Sequence, residues 1–194
     1  MAADVLRMLR TETATEHAAV EQALNLLDPD LERPRLAAVV GRLHGFWLAA
    51  EAGLDDWATR FRDDADAVDW ARRRRAGLFA ADLETLGSSP GLAAPALAPV
   101  AGTDEALGRL YVLEGSTLGG VFIDRHLAGL PGLSDVRLRA FSPYGAETGA
   151  RWHAFRTATR ARVAAGGDAG AVVGSARATF TALAAWCHRP SGTA

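Results

Sequence analysis

Tyr111-Val112-Leu113-Glu114-Gly115-Ser116-Thr117-Leu118-Gly119-Gly120 lies inside a segment whose apolar spacing is helical from Asp104 to about Leu127. Three glycines fall within its last six positions. Each glycine inside a helix costs about 1 kcal/mol relative to alanine. A sequence that keeps three of them in under two turns needs its backbone close to something. Gly115 and Gly119 are four apart and share one face. They form a strip without side chains, against which a flat ligand or a neighbouring helix can rest.

Outward from this stretch, the pattern stays helical. Val5, Leu6, Leu9, Thr13, His17, Val20, Leu24 and Leu27 follow steps of three and four, which predicts a helix over about 4–26 with Asp4 as N-cap and Pro29 just beyond its end. Pro34 opens a second helix carrying Leu36, Val39, Val40, Leu43, Phe46, Trp47 and Leu54. A short helical piece over Asp56 to Arg62 is expected next. Another helix is expected from Ala65 to Leu86, ending at Gly87, with the Arg72 to Arg75 run as a solvated face. The segments 88–103 and 129–144 hold prolines and glycines and read as connecting loops. Helices over about Ala146 to Ala165 and Ala169 to Cys187 follow, separated by Gly166-Gly167-Asp168. No alternating Val/Ile/Tyr-rich segment predicts a sheet. The expectation is an all-α bundle of roughly seven helices, one domain over residues 1–190, and a loose tail at 191–194.

The 194 residues suffice for one domain with a substantial core. Hydrophobic residues make up 49% and charged residues 23%, an ordinary globular composition. A formal net charge of −2 gives no general attraction to nucleic acid or to an anionic membrane. All 21 basic residues are arginines, so an anionic ligand must be held by Arg, His or backbone N–H groups. The single cysteine, Cys187, excludes an intrachain disulfide. The first residues lack an apolar signal core. No apolar run approaches the roughly 20 residues that cross a bilayer. These features predict a cytoplasmic protein without nucleic-acid or membrane partners.

His17 is the other residue that stands out. It sits on the apolar stripe of the first helix, and Glu21 follows one turn later on the same side. A neutral imidazole so placed suits a metal or heme iron. A carboxylate one turn away can hold the other ring nitrogen and fix the tautomer. A buried histidine satisfied by a backbone carbonyl or by Glu21 alone is the simpler reading of His17 in isolation. A di-iron bundle site needs Glu-x-x-His pairs, and the chain has none. Zinc ligands are not clustered, and Cys187-His188 stands alone. Gly115-x-x-x-Gly119 matches a membrane helix-dimer motif only superficially, because Glu114, Asp124 and Arg125 lie in the same helix. The dinucleotide fingerprint, the phosphate-binding loop and the G-x-S-x-G elbow are all missing, so no nicotinamide or flavin site is built in.

His17 with Glu21, followed about 100 residues later by the Gly115/Gly119 helix, resembles heme oxygenase over nearly the whole chain. The glycine stretch is most similar to the bacterial, biliverdin-producing branch. The resemblance implies O2-dependent cleavage of heme to biliverdin, CO and Fe2+, with heme as both substrate and oxygen-activating cofactor. Electrons would come from an outside donor such as a ferredoxin or a flavoprotein reductase. A phytochrome is a candidate acceptor for the product. By the same resemblance His17 is the axial iron ligand and Glu21 orients it. Gly115, Ser116 and Gly119 form the oxygen side, with Gly120 beside them. Arg10, seven residues before His17, is placed for one heme propionate. Arg125, or His153, Arg156 and Arg160, are candidates for the other, and solvated surface charge is the competing role of each arginine. The eukaryotic branch has an acid at the position of Ser116, so proton delivery here must be arranged differently. Phe122, Phe180 and Trp47 are candidate pocket walls, with plain core packing as the alternative. A heme-binding or heme-trafficking protein on the same fold is the alternative function, followed by a heme-free relative that binds another small molecule.

Overall fold

Asp4 caps the first helix by accepting the Leu6 N–H at 3.1 Å. The computed structural model describes residues 4–188, and every regular element among them is helical. Eight α-helices run in the order α1 (Val5–Glu12), α2 (Ala14–Leu24), α3 (Arg33–Arg60), α4 (Arg62–Ala67), α5 (Ala76–Thr85), α6 (Thr103–Gly129), α7 (Thr148–Ala164) and α8 (Ala169–His188). Short 3-10 turns at Trp70–Arg72 and Gly145–Glu147 join them. The all-α expectation holds. The expected tail at 191–194 lies outside the described residues.

Three boundaries differ from the sequence reading. The predicted helix over 4–26 is two helices, because Thr13 leaves helical geometry (φ −109°, ψ 5°) and turns its hydroxyl back to the Leu9 carbonyl at 2.6 Å. The piece expected at Asp56 to Arg62 is the end of α3, which runs unbroken to Arg60. The helix expected over 65–86 is interrupted: Asp69 takes a left-handed conformation (φ 53°), and α5 begins only at Ala76. That interruption overturns the expectation of a solvated arginine run. Arg72 and Arg74 do face solvent, whereas Arg73 and Arg75 are buried.

The buried apolar side chains form one contiguous cluster. At its centre α6 packs along α8, α1 and α2 also pack on α8, and α3 pairs with α5. Burial, not propensity, holds a helix as glycine-rich as α6 together. Leu107, Leu110, Val112 and Leu113 are all at most 3% exposed. Gly108 lets α6 approach α8, since a Cβ there would stand 2.2 Å from the Val172 carbonyl oxygen. No helix is long and apolar enough to cross a membrane among the described residues.

Candidate functional site

A cavity of about 270 Å³ opens between α2 and α6, with α8 behind it and α3 and α5 beneath. His17, Glu21 and Leu24 of α2 line one side, and Tyr111, Gly115, Ser116 and Gly119 of α6 line another. Trp47, Phe79 and Phe141 form an aromatic row on the floor, with ring centroids 4.8 Å and 6.0 Å apart. Phe180 stands edge-on to the His17 ring at 5.5 Å. The structure therefore brings His17, Glu21, Gly115, Ser116 and Gly119 to one cavity, although 87 residues or more separate the two helices' contributions. Walls that are mostly aromatic and aliphatic with a few polar groups suit a flat apolar ligand.

On the α2 side, His17 Nδ1 lies 3.6 Å from Glu21 Oε2. The two side chains are 55% and 70% exposed, so this wall is open to solvent rather than a buried stripe. With Nδ1 turned to Glu21, Nε2 is the nitrogen left for a ligand.

The glycines of α6 divide into two kinds. A Cβ on Gly119 would meet nothing within 4 Å, and one on Gly115 would only touch Trp152 at 4.0 Å. These two face open cavity. Gly120 does not: its Cβ would stand 2.1 Å from the Phe141 carbonyl oxygen. Gly120 is a packing glycine that seats the segment after α6, which corrects its expected place at a ligand. Sequence spacing carried the distinction, since Gly120 is one residue, or about 100°, off the Gly115/Gly119 face.

The polar floor is made by residues the sequence reading did not select. Arg75, at the start of α5, is 2% exposed and lines the cavity. Its Nη2 donates to Ser116 Oγ at 2.8 Å and to the Leu113 carbonyl, and its Nη1 donates to the Ala140 carbonyl at 2.9 Å. Its guanidinium also stacks 4.9 Å from the Trp47 ring centroid. Burial pulls its pKa down, opposed by the nearby charges of Glu114, Tyr144 and Glu51. Glu51 of α3 caps α5 by accepting the N–H groups of Arg75 (2.5 Å) and Ala76 (2.9 Å). Asp82, further along α5, accepts the N–H groups of Arg139 and Ala140. Arg75 and Asp82 thus both hold the 139–140 backbone that leads into Phe141. Behind this layer Arg73 pairs with Glu114, whose other oxygen accepts the Tyr144 hydroxyl at 2.9 Å. Ser116 itself donates to the Leu113 carbonyl at 2.7 Å.

The remaining expected residues scatter. Arg10 is exposed on α1, beyond the break at Thr13, so helical spacing does not set its relation to His17. It still stands near the site, because its charge acts on Tyr111, whose hydroxyl burial pushes up. Arg125 and His153 are exposed and line no part of the cavity. Arg160 is committed to Asp4 through two hydrogen bonds, 2.8 and 3.1 Å, which removes it as a free cation for a ligand. Arg156 is half-buried nearby and also acts on Asp4. Trp47 and Phe180 line the cavity, whereas Phe122 is 65% exposed and does not. Cys187 is half-buried, with its thiol pushed up to about 11 by burial.

The chain is 33% identical over 146 residues to a heme oxygenase of Xanthomonas campestris pv. campestris (strain 8004). The match spans 74% of this chain and 83% of that protein. No family model matches the chain, and no solved structure matches it. On this likeness, carried by an all-helical chain, the protein belongs to the heme oxygenase family.

Proposed function

We propose that this chain is a biliverdin-producing heme oxygenase of the bacterial branch, which cleaves heme with O2 and external electrons to biliverdin, CO and Fe2+. The observation that carries the reading is the cavity itself, with a solvent-open histidine on α2 and two glycines without side-chain bulk on α6. Bound heme supplies the oxygen-activating iron. His17 presents Nε2 to that iron, and Glu21 favours the tautomer with a proton on Nδ1. Gly115 and Gly119 leave the opposite wall low, so a small diatomic ligand and ordered water fit beside the α6 backbone. Trp47, Phe79, Phe141 and Phe180 offer aromatic faces to the macrocycle. Arg10 is the candidate for a propionate, with Arg125 and Arg156 as candidates for the other. The electron donor is a ferredoxin or a flavoprotein reductase, and a phytochrome is a candidate acceptor of biliverdin.

The test starts from purified protein and hemin. The expected outcome is a Soret band typical of a histidine-ligated ferric heme, converted to a biliverdin spectrum by ascorbate or a reductase in air. His17→Ala is expected to abolish the histidine-ligated band. Persistence of that band in His17→Ala removes the ligand assignment. A stable complex that forms no verdin assigns the chain to heme binding or trafficking instead.

A further inference from the structure

Ser116 stands at the position where an acid would organise protons in the eukaryotic branch, yet its one proton is already committed. Its hydroxyl proton goes to the Leu113 carbonyl, and Oγ accepts from Arg75. A serine hydroxyl has only one proton to give. Arg75 differs. A guanidinium has five N–H groups. Two on Nη2 and one on Nη1 are engaged. The Nε–H is buried and has no partner. Arg75 is also the one arginine that lines the cavity among the described residues. A second buried donor of the same floor, Trp47 Nε1, is likewise without a partner. Buried donors without acceptors are rare and costly, each on the order of 1–3 kcal/mol. Both are sealed from the cavity's water as well as from protein acceptors, so the donor that Arg75 has left for an arriving acceptor is the second N–H of Nη1, beyond the one given to the Ala140 carbonyl.

We propose that Arg75, not Ser116, is the residue that stabilises negative charge on a small ligand bound at the heme iron, directly or through one water, with Ser116 and the Leu113 and Ala140 carbonyls as its positioning groups. The proposal rests on the heme reading above. A fixed guanidinium in a water-poor site is already oriented when charge develops, so little reorganisation is needed. Arginine does not release its proton at neutral pH, so Arg75 acts as charge and donor while protons come from ordered water. The three anchors hold its planar fork against the Trp47 ring. They explain why a cation is tolerated in a floor otherwise made of Trp47, Phe79 and Phe141.

Hemin-loaded protein supplies the test, with two probes that require no turnover. In the ferrous complex with CO, the C–O stretch reports positive charge near the outer atom. In the ferric complex, fluoride affinity reports hydrogen-bond donation. Arg75→Met is expected to raise the C–O stretch and to weaken fluoride binding roughly tenfold or more, the loss that goes with one charge-assisted hydrogen bond. Ser116→Ala removes one of the three anchors of Arg75 and is expected to move both probes in the same direction as Arg75→Met but by clearly less. An effect of Ser116→Ala as large as that of Arg75→Met, or unchanged probes in a folded Arg75→Met, overturns the proposal. Arg75→Met removes a buried network, so its fold is checked by helical circular dichroism; if it fails to fold, Arg75→Gln takes its place, with the same shifts expected and unchanged probes overturning the proposal. Absence of any heme complex in the wild type refutes the heme reading itself, a result distinct from a heme complex whose probes ignore Arg75.

Discussion

Two adjacent glycines make opposite demands on the same helix. Gly119 has open cavity where its Cβ would be, and Gly120 has the Phe141 carbonyl oxygen at 2.1 Å. Gly119→Ala is therefore expected to fold at least as well as wild type, gaining up to about 1 kcal/mol of helix propensity. Gly119→Leu is expected to fold and to lose hemin affinity, because its side chain fills the space beside the α6 backbone. Gly120→Ala must push the 140–142 backbone aside, a cost of about 1–3 kcal/mol typical of overpacking. Thermal melts of the three variants, with a hemin titration of each that folds, check the contrast. A destabilised Gly119→Ala would place Gly119 against protein instead of cavity. The site was legible at this scale where chemistry and spacing coincide, as at His17, Glu21 and the Gly115/Gly119 face. It was not legible at Arg75, because nothing local marks which arginines of the run of four are buried. Its partners, Leu113, Ser116 and Ala140, lie 38 to 65 residues away.

At the scale of elements, α5 is held by its polar ends more than by its length. Its ten residues are capped by Glu51 from α3, and Asp82 within it binds the 139–140 backbone. Burial raises the Glu51 carboxyl above its ordinary 4.5, against the opposing effect of the Arg75 and Ala76 N–H groups. A carboxyl raised in the folded state is protonated there at a pH where the unfolded chain is already ionised. Its contribution is thus fully present below pH 4.5 and is lost as pH rises through the folded value. Glu51→Gln cannot titrate. The stability of wild type minus that of Glu51→Gln is expected to be highest near pH 4 and to fall as pH rises from there, read from urea midpoints across the range. A difference that grows with pH would mean that the two N–H bonds outweigh burial. The break before α5 escaped the sequence for a related reason. The residues from Ala65 to Leu86 hold no glycine or proline save Gly77, so local propensity favours a continuous helix. What stops it is tertiary: Asp69 turns left-handed, and Arg73 and Arg75 reach buried partners on α6 that a continuous helix would not let both meet.

Over the whole molecule, the all-helical class and the order of helices were readable because the 3.6-residue period runs through nearly the entire chain. Which helices touch was not, since α6 meets α8, and faces α2 across the cavity, over long stretches of sequence. The assembled bundle leaves α2 thinly packed. In α2 only Val20 is fully buried, compared with twelve such residues in α6. It leans on α8, and its inner face borders the cavity. Few buried apolar contacts mean low local stability, so α2 is expected to open more readily than the central helices when no ligand is bound. Heme held through His17 would couple α2 to the α6 wall. A ligand that binds only the closed arrangement stabilises it by mass action, about 2.7 kcal/mol at a hundredfold excess over Kd. In amide hydrogen exchange, the 14–24 backbone is thus expected to exchange faster than α3 or α6 in the free protein and to slow about a hundredfold on adding hemin at that excess. The His17→Ala protein should show the fast phase with or without hemin. Equal protection of α2 and α6 in the free protein would mean that the α2 wall is preformed, and the hemin-induced slowing should then vanish with it.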